Sequence, residues 1–96
     1  MGMEKGNCYG VASAFAVQAK RATGLPVRVC WGKSNVFNKN KWQPHGWTEI
    51  KIGNTWYTFD ANAAGNKSRK DVKYYMQKSS SMKKYYKTEG REDIVL

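Results

Sequence analysis

His45-Gly46-Trp47-Thr48-Glu49-Ile50-Lys51-Ile52-Gly53-Asn54-Thr55-Trp56-Tyr57-Thr58-Phe59-Asp60 places two runs rich in aromatic and β-branched residues around Gly53-Asn54. Such runs suit a pleated, half-buried surface, and a glycine-asparagine pair between them suits a two-residue hairpin turn. The spacing therefore predicts strands over 45–52 and 55–60. A two-residue loop fixes the register: Ile52 faces Thr55, and Trp47 faces Asp60. Because side chains alternate, His45, Trp47 and Glu49 then share a face with Trp56, Thr58 and Asp60. His45 lies on the diagonal from Asp60, where backbones are roughly 7 to 8 Å apart and an imidazole can reach a carboxylate.

Upstream, Cys8, Ala12, Phe15, Ala19 and Ala22 recur at steps of three and four, with Gln18, Lys20 and Arg21 off the stripe. This predicts a helix over 8–23. Gly24-Leu25-Pro26 stops it, since glycine accepts the left-handed cap conformation and proline cannot continue the helix. Val27 to Trp31 reads as a strand closed by Gly32, and residues 33–44, with three Asn and three Lys, as the longest loop. Cys8 is thereby expected at a helix start. There, unpaired N–H groups and the helix dipole would favour a thiolate and could face an oxyanion. A helix-terminal cysteine with a His and an Asp on one sheet face is the nucleophile, base and orienter set of a thiol enzyme.

The blocks Gly6-Asn7-Cys8, Gly24 to Val29, His45-Gly46-Trp47-Thr48-Glu49 and Trp56 to Asp60 stand in an order that resembles the core of the transglutaminase-like superfamily. In that family a Cys opens a helix, a Gly-Ile-Pro-Ala-Arg-like turn leads into a strand, a His-x-Trp-x-Glu strand carries the base and a Trp-x-x-x-Asp strand the acid. Leu25 and Val27 are mild variants of the turn. The resemblance covers about residues 6–62. It implies a papain-like α+β fold, a catalytic N-terminal helix on a small antiparallel sheet, with Cys8, His45 and Asp60 at the junction. It also implies attack on an amide carbonyl of a peptide or protein substrate through a thioester, with water or an amine as acceptor. No metal or organic cofactor is implied. Family members usually have a helical segment upstream of the cysteine that helps wall the cleft and supplies a second oxyanion donor. Only seven residues precede Cys8, so that donor has no counterpart among the matched residues, and the chain is expected to be a piece of a larger protein. For bacterial members the resemblance loosely favours an extracytoplasmic or cell-envelope setting.

Composition limits the alternatives. In 96 residues there is room for one domain, here 1–96, comprising the core and a basic Lys/Tyr-rich segment over 67–96. No apolar run approaches a membrane span, and the start, Met1 to Gly6, lacks the apolar stretch of a secretory leader. Seventeen Lys and Arg against seven Asp and Glu leave a net charge of +10, and residues 67–87 hold eight basic side chains against the single Asp71. Such a segment usually forms a solvated surface. A partner for it would be an anionic polymer such as cell wall; nucleic acid is less favoured, because no aromatic motif of an RNA module is present. The rival function is accordingly a catalytically inactive module that docks on an anionic polymer, cell wall or nucleic acid, through its basic surface. Within the segment, 71–78 is expected to form a short helix and Ser79-Ser80-Ser81 to break it.

The remaining candidates have structural readings. Cys30, inside a strand, is expected to be core, and a bond from it to Cys8 would remove the nucleophile. Trp31, Trp47 and Trp56 suit a half-buried sheet better than a substrate platform, leaving Trp42, just before His45, as the expected substrate contact. Glu49 is expected to pair with a nearby Arg or Lys. Asn62, opposite His45 in the extended register, is a fallback orienter of the imidazole.

Overall fold

The computed structural model describes residues 3–96, with side chains from Cys8 onward; Met1 and Gly2, at the start read above for a leader, lie outside it. Helix α1 runs Met3–Thr23, followed by β1 (Val27–Ser34), β2 (Gln43–Ile52) and β3 (Thr55–Phe59). A short α2 (Ala61–Ala64), the two-residue strand β4 (Gln77–Lys78), a 3-10 turn (Ser79–Ser81) and β5 (Tyr86–Asp93) complete the chain. The five strands form one antiparallel sheet in the order β4-β3-β2-β1-β5. This is the α+β arrangement expected, a helix packed on a small antiparallel sheet.

The hairpin register agrees with the sequence reading: Ile52 pairs with Thr55, and Thr48 with Phe59. Gly53 takes φ +65° in the turn, and Gly24 takes φ +69° where its N–H closes α1 on the Lys20 carbonyl at 2.9 Å. Both positions lie in the left-handed region that favours glycine.

Helix α1 presents Ala12 and Ala16, both buried, to Val27, Val29 and Ile50 on one face of the sheet. Their small side chains let the helix approach closely, and Thr48 Oγ1 donates to the Ala12 carbonyl at 2.9 Å. Phe15 stacks on Phe59 with ring centroids 5.9 Å apart. Ala22, placed on the stripe by spacing, is exposed, and Ala16 takes up the buried surface instead.

The opposite sheet face is also covered. Cys30 and Trp47 pack there with Val36, Ala63, Val72, Met82 and Tyr86, so β2 is buried continuously from His45 to Ile50. The cover is the C-terminal segment, which is therefore structural as well as basic. Residues 71–78 are not the expected helix: Met76 has φ +55°, and the chain enters β4 at Gln77. Tertiary hydrogen bonds hold it open, because Tyr74 O accepts from Asp60 N at 2.7 Å and Tyr74 Oη donates to Arg69 O at 2.7 Å. Along β5, charged side chains line a sheet edge and discourage pairing with another strand. No helix among the described residues is long and apolar enough to cross a membrane.

Candidate active site

His45 enters the site from the start of β2, and its side chain is buried between Phe37, edge-on at 5.2 Å, and Trp47, stacked at 6.2 Å. Asp60 follows β3 directly and is 0 % exposed. It performs two tasks. Its Oδ1 accepts the Ala63 N–H at 3.0 Å and caps α2, while Oδ2 meets His45 Nε2 at 2.7 Å. The diagonal relation derived from the hairpin thus becomes a buried imidazole–carboxylate pair.

A third group holds the carboxylate. Tyr86 Oη, from β5, donates to Asp60 Oδ2 at 2.6 Å. Burial first, then the Asp60 charge and this hydrogen bond, push the phenol far above its ordinary pKa, so Tyr86 stays a donor. Sequence reasoning missed this residue, because Tyr85-Tyr86 lies in a lysine-rich run with no apolar alternation to announce a strand.

Two forces act on the His45 imidazole. Burial, the largest, disfavours its charged form, but the hydrogen bond to Asp60, the interaction with Cys8 and the Asp60 charge together outweigh it and raise its pKa from 6.5 to about 9. Nε2 is occupied by Asp60. The other nitrogen, Nδ1, is buried without a formed hydrogen bond, although Cys8 is close enough to influence the ring.

Cys8 itself is half-buried. One expectation about it needs correction: α1 begins at Met3, so Cys8 is in the second turn. Free N–H groups belong to the first four residues of a helix; the Cys8 N–H lies inside the ladder. The helix terminus therefore does not supply the activation or the backbone oxyanion contact read from the sequence. What brings Cys8 to His45 is the adjacent Gly46, where a Cβ would stand 3.0 Å from Tyr9 Cα and 3.3 Å from the Cys8 carbonyl carbon. A side chain at this position would require α1 to give by a few tenths of an ångström.

Asn62 is also placed differently from expectation. The chain turns into α2 after Asp60, which takes Asn62 out of the strand register, and its Nδ2 donates to Cys8 Sγ at 3.0 Å. It meets the sulfur rather than orienting the imidazole.

The other candidates sort as follows. Cys30 is fully buried and unbonded to Cys8, and burial, followed by the Glu49 charge, pushes its thiol well above the ordinary range. Glu49 pairs with Arg28 at 2.6 Å, and Arg28 stacks 3.8 Å over Trp56. Trp47 is core, and Trp31 packs edge-on against Tyr9 at 5.5 Å. Trp42 carries the Lys87 ammonium 4.1 Å over its ring, so one indole face is occupied. No cluster of three or more His, Cys, Asp or Glu suited to a metal occurs among the described residues.

The family model for the transglutaminase-like superfamily matches residues 1–61, which contain Cys8, His45 and Asp60. No curated protein and no solved structure matches the chain.

Proposed function

The chain belongs to the transglutaminase-like superfamily, and from that premise we propose that it catalyses cysteine-dependent acyl transfer on amide bonds of a peptide or protein, with Cys8 as nucleophile, His45 as base and Asp60 as orienter. The observation that carries the reading is the His45 ring, bound through Nε2 to a buried carboxylate and left unpaired at Nδ1 on the Cys8 side. Most buried side-chain polar atoms have a hydrogen-bond partner, and an open nitrogen beside Cys8 suits a base.

In the proposed cycle the Cys8 proton rests on His45 Nδ1, as the raised imidazole pKa favours, and the sulfur attacks the carbonyl carbon, forming a C–S bond and a tetrahedral oxyanion. The intermediate collapses with cleavage of the C–N bond, and the leaving amine takes the proton from His45. Water or an amine then attacks the thioester and gives its proton to His45, and collapse of the second tetrahedral intermediate breaks the C–S bond and releases the Cys8 sulfur with the proton again on His45. Asp60 fixes the tautomer of the neutral imidazole and stabilises the imidazolium.

Exposed Lys73, Lys78, Lys83, Lys84 and Lys87 favour substrates in anionic surroundings such as cell-wall polymer, an attraction that added salt would screen. The test of the chemistry is iodoacetamide alkylation at pH 7, read by peptide mass mapping. Cys8 should react faster than free cysteine and lose that advantage in His45→Ala, while buried Cys30 stays unlabelled in the folded chain. Acyl transfer that survives Cys8→Ala would overturn the mechanism.

A further inference from the structure

An acyl-transfer site needs a hydrogen-bond donor where the carbonyl oxygen becomes an oxyanion, and removing one such donor commonly costs about 10²- to 10³-fold in rate. The backbone of α1 does not provide it at Cys8, whose N–H is inside the helix ladder. A side-chain donor beside the sulfur can do so.

We infer that Asn62 is this donor: its side-chain amide, now 3.0 Å from Cys8 Sγ, binds the oxyanion of the tetrahedral intermediate. The inference rests on the acyl-transfer reading above and adds a catalytic residue to it.

The orientation of the amide follows from its neighbours. Asn66 Nδ2 lies 2.6 Å from the Asn62 backbone carbonyl, which can only accept, so Asn66 presents its NH2 group there. The same NH2 lies 2.9 Å from the Asn62 side chain, which must therefore present its oxygen. That leaves the Asn62 NH2 facing the sulfur. A flipped amide would set two donors against each other at Asn66. The backbone is held as well, since α2 is capped by Asp60 through the Ala63 N–H at 3.0 Å. The carboxylate that orients His45 thus also fixes the turn that carries Asn62.

The position suits charge that moves. After attack, the carbonyl carbon is one bond from Sγ and the oxyanion one bond further, so a donor on the sulfur has only a short distance to travel. Sulfur, large and diffuse in charge, accepts hydrogen bonds more weakly than oxygen, whereas those from N–H to an oxyanion are short and strong. The interaction therefore strengthens as negative charge passes from sulfur to oxygen, which is the condition for lowering a barrier rather than merely binding the ground state. Half-buried Asn62 and Cys8 also leave the site open to a substrate carbonyl.

Two reagents separate this role from thiol activation. p-Nitrophenyl acetate acylates Cys8 through a tetrahedral oxyanion; iodoacetamide alkylates it by direct displacement and forms none. In Asn62→Ala, and in Asn62→Leu as a shape-matched variant without donors, acylation should fall about 10²-fold. Alkylation should stay within about threefold of wild type, the scale of a weak contact to sulfur. Equal losses in both reactions would mean that Asn62 acts on the thiol or the fold, and unchanged acylation would remove its role; either result overturns the inference while leaving the acyl-transfer reading in place. If wild-type Cys8 is not acylated at all, the acyl-transfer reading fails and this inference fails with it.

Discussion

Replacing Tyr86 by Phe deletes one oxygen from the buried centre and leaves the ring. The aromatic packing stays, with Trp47 4.7 Å away and His45 stacked at 6.3 Å. What is lost is the 2.6 Å donation to Asp60 Oδ2, at a carboxylate 0 % exposed to water. Hydrogen bonds to charged groups contribute about 1.5 to 3 kcal/mol, and no water replaces this one without rearrangement. Asp60 still accepts from Ala63 N and His45 Nε2, so the expected loss is in the middle of that range, about 2 kcal/mol. For a domain of this size that lowers Tm by roughly 10 °C. Urea unfolding followed by tryptophan fluorescence measures it, and a second arm isolates the cause. In an Asp60→Asn background the acceptor is neutral, and the same Tyr86→Phe change should cost less than about 1 kcal/mol. A Tyr86→Phe variant within about 0.5 kcal/mol of wild type, or an equal cost in both backgrounds, would refute the argument that the hydroxyl sustains a buried charge.

Three further outcomes follow from the same contacts. Gly46→Ala should force α1 outward at Cys8–Tyr9, where a Cβ would stand 3.0 Å from Tyr9 Cα. It should destabilise by about 1 to 3 kcal/mol in urea unfolding, and a variant as stable as wild type would show that the approach is not needed. His45 has a folded pKa of about 9 against 6.5; its raised pKa gives stability fully present below pH 6.5 and lost as pH rises through 9, on the order of 3 kcal/mol in all. Stability measured by urea across pH 6 to 10 should show this fall, much reduced in Asp60→Asn, and a flat profile in wild type would contradict it. Met76, half-exposed with φ +55°, holds a conformation unfavourable for a side chain by about 1 to 2 kcal/mol. Met76→Gly should therefore be neutral or stabilising by up to about 1 kcal/mol, and a loss larger than that would count against the strain.

The hairpin and the His45–Asp60 pair were legible in the sequence because a two-residue turn fixes register, and register fixes which side chains share a face. The helix and its stop were legible through period and cap. Its start was not: Met3 to Asn7 carries no apolar period, and the stripe begins at Cys8. The second cover of the sheet was hidden for a different reason. Val72, Met82 and Tyr86 are separated by lysines and serines without regular spacing, so they resemble a solvated tail while completing the buried cluster of Cys30, Val36, Trp47 and Ala63. Asn62 was read in a continued strand, and the capping of α2 by Asp60 changed its direction.

Asp60 ends the second hairpin strand and caps the turn after it, so one carboxylate sets the position of His45 through Oδ2 and of Asn62 through the Oδ1-capped helix. The family match stops at residue 61, yet Asn62 and Tyr86 come after it and touch Cys8 and Asp60. Burying an imidazole and a carboxylate in so small a domain is costly unless their hydrogen bonds are made. All three bonds to Asp60 are made, two of them by residues beyond the match, Ala63 and Tyr86. The remaining unpaired nitrogen is His45 Nδ1, on the ring whose charge Cys8 helps to stabilise. Under the proposed mechanism this is the nitrogen that a general base leaves open for the proton it is to receive.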